Sequence, residues 1–231
     1  MAEAANSAVS ARDWAALIRA KLAGSSPRHE RADWILPGMS AADSETYRRA
    51  LPASPTPAAV LIAIVESERP TILLTERASD LRTHAGQVSF PGGHIEASDP
   101  TPAAAALREA REEIGLEEAL VSVAGYLPDH IVITGFRITP VVGFVRGGFA
   151  LVPDRKEVQS TFEVPLDYIL DPANYRLQRR RLIRSGEEVG FWDIPFEGRT
   201  IWGATAGMLL TLYHLCIGPL PFESAAPAPG S

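Results

Sequence analysis

The sequence predicts an α/β domain with a sheet layered between helices, and three features point there. Ala58-Ala59-Val60-Leu61-Ile62-Ala63-Ile64-Val65 is a short apolar run suited to a buried strand. Thr71 to Thr75 follows it closely, across a turn-like Glu66 to Pro70, as a hairpin partner. A strongly marked helix over 101–116 then separates this pair from a later group of strands.

Along the chain, residues 1–9 are small and polar. A helix is expected from Ser10, which has capping-box spacing to Asp13, while Trp14, Leu17, Ile18 and Leu22 recur on one face until Gly24. Its polar face is not strongly basic, so it is expected to pack on its own domain or on a second subunit, which leaves a homodimer open. Ser25 to Pro57, rich in Pro, Ser and Ala, reads as an irregular lead-in. Later strands are expected at Val121 to Leu127, Ile138 to Val145 and Phe149 to Val152, with Gly147-Gly148 as a hairpin turn between the last two. Residues 163–171 and 203–217 read as helical, and 180–195 as a strand pair around Ser185-Gly186. The organisation expected is a lead-in (1–56), a main domain (57–218) and a Pro/Ala/Ser-rich disordered tail (219–231).

Composition narrows the function classes. Of 231 residues, 46% are apolar and 22% charged, the profile of an ordinary globular protein. With 22 basic residues against 28 acidic ones, the formal charge of −6 argues against a nucleic-acid partner, which normally meets a basic surface. A phosphorylated small molecule remains compatible, because one anion needs only a local cluster or a metal. No apolar stretch approaches the roughly 20 residues of a membrane span. Glu3 stands where an apolar signal core would begin, so a cytoplasmic protein is expected. Cys216, the only cysteine, lies in an apolar run and reads as a small core residue.

The chemistry concentrates in Thr101-Pro102-Ala103-Ala104-Ala105-Ala106-Leu107-Arg108-Glu109-Ala110-Arg111-Glu112-Glu113-Ile114-Gly115-Leu116. Thr101 suits the N-cap, Pro102 the first helical position and Gly115 the left-handed C-terminal position. At about 100° per residue, Ala103, Leu107, Ala110 and Ile114 form one apolar stripe, and Glu109, Glu112 and Glu113 converge on the other side. For stability alone this is poor. Glu109 and Glu113 are like charges four apart, and Glu112 and Glu113 sit at the negative end of the helix dipole. A solvated face with an Arg108–Glu112 pair would explain the helix in isolation. The preceding Phe90-Pro91-Gly92-Gly93 shifts the reading, since paired glycines let backbone approach a ligand. Carboxylates with a carbonyl are the oxygen-rich surroundings that magnesium takes, alongside water and substrate phosphates.

Gly93 followed by Arg108-Glu109-Ala110-Arg111-Glu112-Glu113-Ile114-Gly115-Leu116 resembles the Nudix box. One departure stands out: a Glu is usual eight residues before the Arg, where this chain has Pro100, with Asp99 beside it. The loop from Gly93 is one residue longer than usual. Upstream, Leu73-Leu74-Thr75-Glu76-Arg77-Ala78, Arg82, Gly86 and Phe90 to Gly93 resemble the signature of coenzyme A pyrophosphatases, in which that longer loop and an acidic residue at the Asp99 place are familiar.

The resemblance implies a Nudix fold, a mixed β-sheet sandwiched between α-helices. It implies Mg²⁺ or Mn²⁺ held by Glu109, Glu112 and Glu113, with the Gly93 carbonyl, and catalysis through Glu112, Glu113 and the orienting Arg108. The base is drawn from the box or from a later loop, where Glu157 is a candidate. Arg77, Arg82 and His84 would meet the phosphates of coenzyme A or a related nucleotide. Cleavage would give 3′,5′-adenosine bisphosphate and 4′-phosphopantetheine. Two alternatives stay open: another diphosphate substrate such as ADP-ribose or NADH, and an inactive module that senses a nucleotide. A Walker-type nucleotidase is excluded, because no glycine-rich loop ends in Gly-Lys-Ser/Thr.

Overall fold

The structure is a computed structural model and describes residues 11–27, 40–79, 86–182 and 186–219. Arg82, His84, Ser10, Ser185 and the tail from residue 220 lie outside the described residues.

Helix α1 (Ala11–Leu22) and helix α2 (Ala41–Ala50) precede a run of short strands. These are β1 (Thr56–Glu66), β2 (Thr71–Arg77), β3 (Val88–Ser89) and β4 (Gly92–His94). The carboxylate-bearing α3 (Pro102–Ile114) follows, then β5 (Val121–Tyr126), β6 (His130–Ile131), β7 (Phe136–Arg146) and β8 (Val158–Pro165). A one-turn α4 (Leu166–Ile169) leads to β9 (Arg176–Arg181), β10 (Glu188–Phe196), β11 (Arg199–Trp202) and α5 (Ala204–Cys216).

β1 is the axis of the main sheet, which runs β3-β2-β1-β7-β5, with β8 on β2, β4 on β1 and β6 on β7. β1 pairs parallel with β7 along its whole length, from Thr56↔Phe136 to Glu66↔Arg146, and antiparallel with β2 and β4. The sheet is therefore mixed, and helices cover both faces, as the sequence predicts. Burial on both faces explains why β1 reads as a continuous apolar run. Ala59, Leu61, Ala63 and Val65 meet Ala105, Ala106, Ala110 and Ile114 of α3 on one face. Ile62 and Ile64 join Ile18 and Leu22 of α1 and Leu209 and Leu212 of α5 on the other. A second sheet, β11-β10-β9, adds Trp192, Ile194 and Ile201 to that larger core. None of the described helices is long and apolar enough to cross a membrane.

Four expectations need correction. The lead-in is not wholly irregular: α2 is capped by Ser40, whose hydroxyl accepts from the Asp43 N–H, and Asp43 reaches Arg179 on β9 at 2.9 Å. Phe149 to Val152 forms no strand, and Gly147-Gly148 turns no hairpin. That segment spends its backbone donors on α3 instead: Val152 N–H donates to the Ile114 carbonyl and Asp154 N–H to that of Glu113. The third later strand is β8, which pairs with β2. Residues 163–165 are accordingly the end of β8, and the helix expected over 163–171 shrinks to Leu166–Ile169. Cys216 is half-buried against the larger core, where burial pushes its thiol up to about 11.

Candidate active site

The site is built where α3 crosses β4. Thr101 accepts from the Ala104 N–H, Pro102 opens the first turn, and Gly115 closes the helix at φ 69°. Alanines at 105, 106 and 110 meet Ala59 and Ala63, so the helix lies close on the sheet. The two glycines before it allow closer contact still. A Cβ on Gly92 would stand 2.4 Å from the Ala59 carbonyl oxygen, and one on Gly93 would stand 2.6 Å from the Glu109 carboxylate. Side chains do not tolerate such distances, so the Glu109 carboxylate rests directly on backbone.

Arg108 organises the carboxylates around it. Its Nε and Nη2 donate to the two oxygens of Asp99 at 3.1 and 3.0 Å, a bidentate fork. Nη1 reaches Glu109 at 3.0 Å and Glu112 at 3.2 Å, and Nη2 also donates to the His94 carbonyl. The fork holds the Asp99 carboxyl below its ordinary range and raises the guanidinium's own pKa. Arg108 thus ties the loop after β4 to the helix. Asp99 anchors this arrangement from a position one residue before Pro100.

Glu113 points inward, its side chain only 5% exposed. Gly92 N–H donates to its Oε2 at 3.1 Å, and Arg77 Nη1 lies 3.8 Å from Oε1. Burial pushes its pKa up to about 7; the Gly92 hydrogen bond and Arg77 oppose this, and the charges of Glu109 and Glu157 add to it. Glu109 is raised too, first by burial, with Arg108 opposing and Glu112 and Glu157 adding. Glu157 is exposed, yet near enough for its charge to act on both.

The structure therefore brings together Gly93, Arg108, Glu109, Glu113 and Arg77, and adds Glu157 at the edge. Glu112 joins them at the rim: its side chain is 53% exposed and shares Arg108 Nη1 with Glu109. Among the described residues no three His, Cys, Asp or Glu side chains form a ready metal cage. The donor set nevertheless fits a hard divalent ion. It is all oxygen, and buried like charges with raised proton affinity are what a cation relieves. Sequence reasoning did not foresee the Gly92 N–H and the His94 carbonyl as polar partners, since backbone donors and acceptors carry no residue-type signal.

A helix whose carboxylates rest on a glycine pair is the feature to set beside known proteins, and the family model and relatives assign its class. A model of the NUDIX domain matches residues 55–185. A Citrobacter koseri protein described as "Uncharacterized Nudix hydrolase NudL" is 43% identical over 164 residues, covering 71% of this chain and 84% of that protein. Its Escherichia coli K12 counterpart of the same description is 41% identical over 164 residues, with the same coverage of 71% and 84%. Among solved structures, a MutT protein from Methanosarcina mazei aligns at 22% identity and TM-score 0.41, over 52% of this chain and 83% of that one. The chain belongs to the Nudix family and is a diphosphatase-type hydrolase of nucleoside diphosphate derivatives.

Proposed function

We propose that this enzyme hydrolyses the diphosphate bond of coenzyme A or its derivatives with Mg²⁺ or Mn²⁺, releasing 3′,5′-adenosine bisphosphate and 4′-phosphopantetheine. One observation supports the substrate choice above others. Arg77, from the stretch that resembles the coenzyme A signature, lies against Glu113 of the Nudix box. The distinguishing motif and the general one thus share one site.

In this reading Glu109 and Glu113, with Glu112 and the Gly93 carbonyl, hold the ion. Once bound, it supplies neutralisation of phosphate charge and activation of water. Arg108 fixes Glu109 and Glu112 while its fork stays on Asp99. Gly92 N–H keeps Glu113 in one orientation. Arg77 turns its free donors to the diphosphate, and Arg82 and His84 belong to the same substrate-binding stretch. Glu157, at the rim, takes the proton of the attacking water as the P–O–P bridge breaks.

The test is an assay of coenzyme A, ADP-ribose and NADH at equal concentration in Mg²⁺, with products identified. Preferred cleavage of coenzyme A to the two named products is expected. A clear preference for ADP-ribose or NADH would reject the coenzyme A reading.

A further inference from the structure

We propose that Arg137, on β7, is a specificity residue that binds a phosphomonoester of the substrate lying away from the cleaved diphosphate. The inference rests on the coenzyme A reading, whose substrate carries such a group on its ribose.

Register places Arg137 on the face of the sheet that carries the site. Thr139 stands opposite Ala59 on β1, and Ala59 stands opposite Gly93 on β4. Side chains alternate along a strand, so Arg137, Thr139 and Val141 share the face on which Val141 meets α3. Two interstrand spacings sideways and two residues along put the Cα atoms of Arg137 and Gly93 roughly 12 Å apart. Both the arginine and the Glu109 carboxylate above Gly93 therefore face the same side of the sheet, separated by about the width of a sugar and a phosphate.

The polar surroundings of Arg137 hold it without using its donors. Asp129 is buried, its Oδ1 accepting from the Thr139 hydroxyl at 2.8 Å and its Oδ2 standing 3.5 Å from Arg137 Nε. That distance gives charge attraction without a hydrogen bond, and Arg137 Nε is buried with no partner. The side chain is 29% exposed, and its terminal nitrogens make no hydrogen bond among the described residues. Nε is enclosed beside Asp129, so the terminal nitrogens are the donors left to meet a ligand. Arg77 Nε is in the same condition beside Glu113. Two guanidinium groups with open donors thus flank β1, one at the carboxylates and one beyond them. A phosphomonoester suits the outer one, because its oxygens match the planar fork bidentately and it brings the charge a partly exposed arginine attracts.

The experiment measures kcat and KM for coenzyme A and dephospho-coenzyme A in wild type, Arg137→Gln and Arg137→Lys. Arg137→Gln is expected to raise KM for coenzyme A about ten- to hundredfold with kcat little changed. The constants for dephospho-coenzyme A should move much less. Arg137→Lys keeps the charge beside Asp129, and should recover part of the lost preference but not all. If the Gln variant does not fold, the Lys variant decides alone by a lowered ratio of catalytic efficiencies. A ratio unchanged in a folded variant, or an equal loss on both substrates, overturns the inference and leaves the coenzyme A reading standing. A wild type that cleaves ADP-ribose but neither coenzyme A form overturns both.

Discussion

The two faces of the main sheet solve opposite problems. On one, α3 lies on β1 through alanines and glycines, and three acidic side chains crowd its C-terminal half. On the other, large side chains from α1, α5 and the second sheet fill a continuous apolar core that includes Phe144, Leu209, Leu212 and Trp192. The first face gains proximity and accepts electrostatic strain, while the second supplies the burial that offsets it. Charge removal should therefore help the fold on the first face, and volume removal should damage it on the second.

The sharpest way to break this contrast is to withdraw the metal. Extensive chelation should abolish hydrolysis, with recovery on adding Mg²⁺ or Mn²⁺, and unfolding by heat should remain cooperative throughout. Full turnover in metal-free buffer would sink the assignment of the α3 face. On the opposite face, Leu209→Ala should lower unfolding free energy by about 2–5 kcal/mol while turnover per folded molecule stays near normal. A large activity loss without destabilisation would show that the faces are not separate in role.

Glu113→Gln is the complementary test. Turnover should fall at least a hundredfold, about 2.7 kcal/mol of barrier, whereas the fold should be retained or slightly stabilised. The sign follows from the pKa held up to about 7. In the metal-free protein, Glu113 takes up a proton that the unfolded chain refuses until lower pH, so its contribution improves as pH falls. His130 provides the smallest test and the opposite sign. It is buried on β6, a Cβ on Gly207 of α5 would stand 2.7 Å from its ring, and burial lowers its pKa to about 4. The unfolded chain binds that proton first, so the His130 contribution is lost as pH falls from about 6.5 to 4. Between pH 8 and pH 5 this amounts to about 2 kcal/mol, measurable as the difference in pH slope between wild type and His130→Gln. Equal slopes would place His130 in contact with solvent.

How much of this was legible in the sequence depended on whether the signal was local. Thr101, Pro102 and Gly115 mark the ends of α3 by residue type alone, and the helix runs between them as expected. α2 carries little local signal because Ala-Ala-Asp-Ser-Glu-Thr-Tyr-Arg-Arg-Ala has no apolar period; it is capped by Ser40 and tied to Arg179, far along the chain. β8 is not marked locally, because its partner β2 lies some 90 residues upstream, from Thr71↔Pro165 onward. The same holds within the site. The acidic cluster and its arginine follow from helical spacing, but the inward turn of Glu113 depends on Gly92 and Arg77. Arg137 reads only as a strand residue until β1 fixes which face it takes.

The segment after β7 has a further consequence. Its backbone is fastened to the end of α3 at Ile114 and Glu113, and the Glu157 carbonyl then accepts from Ala78 N–H, next to Arg77. One stretch of chain thereby splints the carboxylate helix to the arginine strand. Glu157 rides on that splint without being part of either element. Side chains along that rim can change while the backbone bonds that join helix and strand keep both in place.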